Sequence, residues 1–83
     1  MAWIARSPDQ FGAHIRHLRE RANLSQTQLA ELAGTRQEMV SIIERGHDGA
    51  KLSVLLDLLA ALDVDLTLAP RPISAAGDVL AIF

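Results

Sequence analysis

His14 and His17 are the first residues in this sequence to suggest chemistry. They stand three apart in a stretch that reads as helix, a spacing two metal ligands on one face can use. The pattern offers no convincing third ligand. His47 belongs to a distant loop, and the Asp residues are scattered. The expected reading of both imidazoles is a solvated helix face with no metal. Catalysis is equally poorly served. There is no Cys, which excludes a thiol nucleophile, a thiolate zinc site and a disulfide framework. No Ser–His–acid arrangement, Gly-rich phosphate loop or His-Glu-x-x-His sequence occurs. The chain is expected to be no enzyme and to use no cofactor. Its other polar residues acquire meaning only through the elements that carry them.

With 83 residues the chain is the size of one domain. A domain this small buries little surface, so association with a second copy would help it. Hydrophobic residues make up 49% of the sequence, enough for a packed core. Trp3, Phe11 and Phe83 are the aromatic residues, so that core must be aliphatic. The lack of Cys suits a reducing cytoplasm, the expected location. The first eleven residues include Arg6, Pro8 and Asp9 and do not read as a signal peptide. The longest apolar stretch, Val54 to Leu62, is broken by Asp57 and is too short to span a bilayer. The net charge is −2, which argues weakly against nucleic acid. It is unevenly spread, however. Residues 1–51 hold seven bases against six acids, whereas residues 52–83 hold one base against four acids. The first part can face phosphate and the second should not.

Three helix starts carry the same signature. Ser7-Pro8-Asp9-Gln10, Ser25-Gln26-Thr27-Gln28 and Thr35-Arg36-Gln37-Glu38 each place a hydroxyl three residues before Gln or Glu. Each can form a capping box that satisfies N–H groups the first turn leaves unpaired. The first helix is expected from about Pro8 to Ala22, with Phe11, Ile15, Leu18 and Ala22 on its apolar face. A second, about Gln26 to Ala33, buries Leu29, Ala30 and Ala33, and Gly34 ends it in a left-handed turn. A third, about Arg36 to Arg45, buries Val40 and Ile43 and stops at Gly46. A fourth, about Leu52 to Leu62, is apolar nearly all round. Leu52, Leu55, Leu56, Leu59 and Leu62 form one face, and Val54, Leu58 and Ala61 form a second. One small subunit cannot cover both, so Val54, Leu58 and Ala61 are expected to meet another subunit.

Beyond that helix, Val64, Leu66 and Leu68 alternate with Asp65, Thr67 and Ala69, the period of a strand. A lone strand leaves its backbone unpaired. Two readings stand open: the strand pairs with its copy across a two-fold axis, or the segment lies extended against the helices. Pro70 and Pro72 stop it. The division is thus residues 1–69 for the folded, dimerising domain and 70–83 for a tail ending in Val79-Leu80-Ala81-Ile82-Phe83. The expected fold class is all-α, a bundle of four to five helices followed by one short strand.

A helix, a turn centred on Gly34 and a second capped helix make a helix-turn-helix unit. Leu24-Ser25-Gln26, Leu29-Ala30, Gly34, Gln37, Val40-Ser41 and Glu44-Arg45-Gly46 resemble the lambda-repressor-like, Xre-type DNA-binding domains. The likeness covers about Phe11 to Leu62. It implies that Gln26 holds a phosphate and packs against Gln37, and that Gln37 reads a base edge. Gln suits that task, because its amide can pair with adenine N6 and N7. The resemblance also places Glu38, Met39 and Ile42 toward the groove. Glu can accept from cytosine N4, and Ile can touch a thymine methyl. Arg36, Ser41 and Arg45 become candidate phosphate contacts. Arg19 and Glu44 match a structural pair linking the first helix to the end of the third.

The layout after the fourth helix is similar to the small antitoxins of Hip-type toxin–antitoxin pairs. That resemblance implies an autorepressor, dimeric on a pseudo-palindromic operator, that also binds a kinase toxin. It implies that the tail, through Ile82 and Phe83, enters the toxin. Two other readings remain: a stand-alone Xre-type repressor, and a protein-interaction module that no longer binds DNA.

Overall fold

The computed structural model describes residues 3–72. Four helices follow one another: α1 Pro8–Arg21, α2 Gln26–Ala33, α3 Gln37–Glu44 and α4 Leu52–Ala61. This is the all-α helix-turn-helix bundle the sequence implies. The tail residues Ile82 and Phe83 lie outside the described residues.

Local chemistry sets the helix ends. Ser7 accepts from the Gln10 N–H at 3.1 Å, with Pro8 in the first turn. Gln10 does not complete the expected box. Its side chain accepts one residue earlier, from the Arg6 N–H at 2.5 Å. At α2 the box is complete: Ser25 accepts from the Gln28 N–H, and Gln28 accepts from the Ser25 N–H. Gly34 closes α2 at φ +74°, a left-handed conformation that L side chains rarely adopt. The Gly34 N–H returns to Glu31 and the Thr35 N–H to Ala30, so these two carbonyls near the end of α2 are satisfied.

The expected Thr35 box does not form. Thr35 is committed to the end of α2, and Arg36 caps α3 without a side-chain bond. The turn between the two helices is short. Gly34, Thr35 and Arg36 fill it.

The core is Ile15, Leu29, Ala30, Val40, Ile43, Leu58 and Leu59. Every apolar residue expected to be buried from α2 and α3 packs here or against it. α2 lies against both α3 and α4, and α1 lies against α3.

The two faces of α4 require correction. Leu58 is 0% exposed within the single subunit and so is no partner contact. Leu52 and Leu56, assigned to the inner face, are 60% and 43% exposed. Leucine occupies so many positions here that spacing alone does not centre the buried stripe. The packing of α4 on α2 does, choosing Leu55, Leu58, Leu59 and Leu62. Val54 and Ala61 are half-buried at its margins.

Among the described residues no strand forms. The segment Val64 to Leu68 has no ladder partner inside one subunit. Val64 packs against the core, whereas Leu66 and Leu68 are exposed.

Candidate nucleic-acid interface

The site is built on α3, whose inner and outer faces differ sharply. Val40 and Ile43 anchor the inner face in the core. Helical spacing then turns Glu38, Ser41, Ile42 and Arg45 to the opposite side. Glu38 and Arg45 are exposed, and Ser41 and Ile42 are half-buried. Arg36 and Gln37, at the start of the helix, are exposed as well. Met39 departs from the group: it lies on the flank and packs partly against the core. With Ile42 it floors a shallow groove edged by Gly34, Thr35, Arg36 and Glu38.

A chain of hydrogen bonds braces this face from beneath. Gln37 Nε2 donates to Gln26 Oε1 at 2.6 Å. Gln26 Nε2 donates to Glu44 Oε1 at 3.0 Å. Glu44 also receives Arg19 through two bonds, Nε to Oε2 at 2.6 Å and Nη2 to Oε1 at 3.1 Å. Arg19 Nη1 donates to the Leu24 carbonyl at 2.8 Å. Three helices and the turn before α2 are thereby tied together. The ion pair is largely enclosed, with the Arg19 and Glu44 side chains 12% and 4% exposed. The hydrogen bond that Arg19 donates to Glu44 raises the Arg19 proton affinity above its ordinary value. Burial opposes this and does not prevail.

Gly12 brings α1 onto this assembly. A Cβ there would fall against the Ile43 carbonyl and within 2.8 Å of the Glu44 carbonyl. Only hydrogen lets the two backbones approach so closely. The sequence contains the signal, a Gly inside a helical pattern, but not the partner. Gly46, at φ +95°, similarly lies against Asp9.

Both histidines stand on the surface of α1, His17 exposed and His14 half-buried. Trp3 folds back over α1 and meets His14 and His17 edge-on, with ring centroids 5.2 and 5.6 Å apart. Arg21 lies 5.9 Å from the same ring. His14 Nε2 is 2.6 Å from the Ile4 carbonyl, an acceptor, so this nitrogen carries the proton. The clue was the stripe His14, His17, Arg21 on one helix flank with a tryptophan upstream. Among the described residues no three His, Asp or Glu side chains converge as a metal site. No described helix is long and apolar enough to cross a membrane.

Comparison with known proteins agrees with this geometry. A family model described as a helix-turn-helix domain matches residues 10–71. An HTH-type transcriptional regulator of Sinorhizobium fredii, y4dL, is 33% identical over 93% of this chain. The chain spans about half the length of the curated relatives it matches, 45% and 59%. Among solved structures, the restriction-modification controller protein C.AhdI of Aeromonas hydrophila is 38% identical. The match has a TM-score of 0.66 and covers 70% of this chain and 84% of that one. A chain of a HipA-HipB-O2-O3 complex superposes with TM-score 0.77 at 25% identity, covering 83% of this chain and 97% of that one. The chain belongs to the Xre-type helix-turn-helix domain family.

Proposed function

We propose that this domain is the DNA-reading part of an antitoxin-type autorepressor, acting as a homodimer on a pseudo-palindromic operator. The observation that carries the DNA reading is the outer face of α3. It presents Gln37, Glu38, Ser41 and Arg45 on a helix braced by Arg19, Glu44 and Gln26. Gln37 reads a base edge, and Glu38 selects against sites that offer it no donor. Arg36, Ser41 and Arg45 hold phosphates. Gln26 adds a phosphate contact at the start of α2, where backbone N–H groups point outward. Met39 and Ile42 provide apolar surface for a thymine methyl.

Dimerisation uses the segment Val64, Leu66 and Leu68, with Val54 and Ala61 at the margin of α4. The exposed Leu52, Leu56, Leu66 and Leu68 support it, since a free small domain gains by covering them. The antitoxin role is supported by likeness in shape to a chain solved together with HipA. In that role the second partner is a kinase-like toxin, reached through Ile82 and Phe83. A stand-alone regulator is the second reading, favoured by the higher identity to C.AhdI.

The experiment is selection of bound duplexes from a random library, followed by binding of the winner at several salt concentrations. Gln37→Ala should cost about 1–3 kcal/mol and relax preference at one base pair. Arg45→Ala should weaken all duplexes alike and flatten the salt slope by about one unit. Absence of any salt-dependent binding would leave a protein-interaction module. Co-purification with a stoichiometric kinase would separate the antitoxin from the stand-alone regulator.

A further inference from the structure

We infer that Glu44 is a positioning residue for base reading: it sets which end of the Gln37 side-chain amide faces the DNA. The inference rests on the DNA reading above and adds a residue that touches no base. A carboxylate can only accept, and Arg19 can only donate. Glu44, held by Arg19 through two bonds, is thus a fixed acceptor at the base of the network. Gln26 must turn its NH2 end toward that acceptor, and it does so at 3.0 Å. Its Oε1 end is then forced the other way, where it meets Gln37 Nε2 at 2.6 Å. Gln37 in turn commits one N–H inward. Its Oε1 and second N–H remain to face a base.

An amide has two nearly isosteric ends, and by itself Gln37 can present either. The relay Arg19–Glu44–Gln26–Gln37 removes the choice before DNA arrives. A reader fixed in one orientation discriminates between bases better than one that flips to suit each. Glu44 therefore acts on specificity from the far end of α3, through the side chains of Gln26 and Gln37.

The test uses the whole chain and the duplex selected by the wild type. That duplex is varied through all four base pairs at the position sensitive to Gln37→Ala. Glu44→Gln replaces the acceptor-only group by an amide that tolerates either orientation of Gln26. Gln26→Met cuts the relay while leaving the Arg19–Glu44 pair in place, so it reports even where Glu44→Gln fails to fold. Both variants should lose about tenfold of the discrimination at that one base pair and little elsewhere. In the free protein, NMR of the Gln37 side-chain amide should show one orientation for the wild type and averaging for both variants. Unchanged discrimination in folded Gln26→Met, at a base pair where Gln37→Ala changes it, would overturn the inference. A wild type that selects no duplex would remove the DNA reading. The amide spectra would still decide the relay, and averaged Gln37 signals in the wild type would refute it.

Discussion

Arg19 and Glu44 illustrate what single residues do here. A surface ion pair contributes about 0–1 kcal/mol, but this one is enclosed, bidentate and shared with Gln26. Removing one partner leaves a charge in a place water barely reaches. Arg19→Met should therefore destabilise the domain by about 3–5 kcal/mol, read as a fall in thermal midpoint by circular dichroism. A loss of less than about 1 kcal/mol would mean that solvent already screens the pair. The pH behaviour has a definite sign. The folded state raises the Arg19 proton affinity, chiefly through the bond Arg19 donates to Glu44. Its contribution is complete below the ordinary arginine range and fades only as pH rises through the raised value. Across the neutral range, titration of Arg19 should leave stability unchanged.

At the scale of elements, the close crossing of α1 over the end of α3 decides how the reading helix sits. Gly12 permits that crossing, because any Cβ there would meet the Ile43 and Glu44 carbonyls. Backbone cannot swing aside as a side-chain tip can. Gly12→Ala should cost about 1–3 kcal/mol through overpacking, measured as a lower urea midpoint at constant slope. Ordinary helix propensity points the other way, since Ala is favoured over Gly inside a helix by about 1 kcal/mol. The sign of the change therefore separates the two effects. The short turn of Gly34, Thr35 and Arg36 completes the geometry by holding α2 and α3 in contact.

For the whole molecule, the question is what covers Leu52, Leu56, Leu66 and Leu68. We propose a second copy, with Val64 to Leu68 supplying the ladder. Leu66→Pro would remove one N–H from each of two symmetric segments. Two lost bonds at about 1 kcal/mol each should weaken the dimer about 30-fold. Sedimentation at micromolar concentration should show twice the chain mass for the wild type and a larger monomer fraction for the variant. A wild type that sediments as a monomer would reject this interface. The net charge of −2 does not bar DNA binding, since residues 1–51 hold seven bases against six acids and the net negative charge lies in residues 52–83, beyond α3.

How far the sequence reached follows from the range of the forces involved. Helix ends were legible at Ser7, Ser25 and Gly34 because caps act over three or four residues. The buried residues Leu29, Ala30, Val40 and Ile43 were legible because polar positions between them leave one apolar stripe per helix. The resemblance to Xre-type domains pointed to Gln26 beside Gln37 and Arg19 beside Glu44. Other features depended on what each element meets. Thr35 looked like a cap until its backbone was taken by the end of α2. Leu58 and Leu52 exchanged places because a helix crowded with leucine has no unique apolar stripe until α2 chooses it. Trp3 across His14 and His17, and Gly12 beneath Ile43 and Glu44, are contacts between segments distant in the chain. The bond from Gln26 to Glu44 spans eighteen positions, and no local pattern encodes it. Short-range hydrogen bonding and periodicity thus specified the helices from sequence alone. Only the packed tertiary structure decided their faces, their close crossings and the polarity of the network beneath the reading helix.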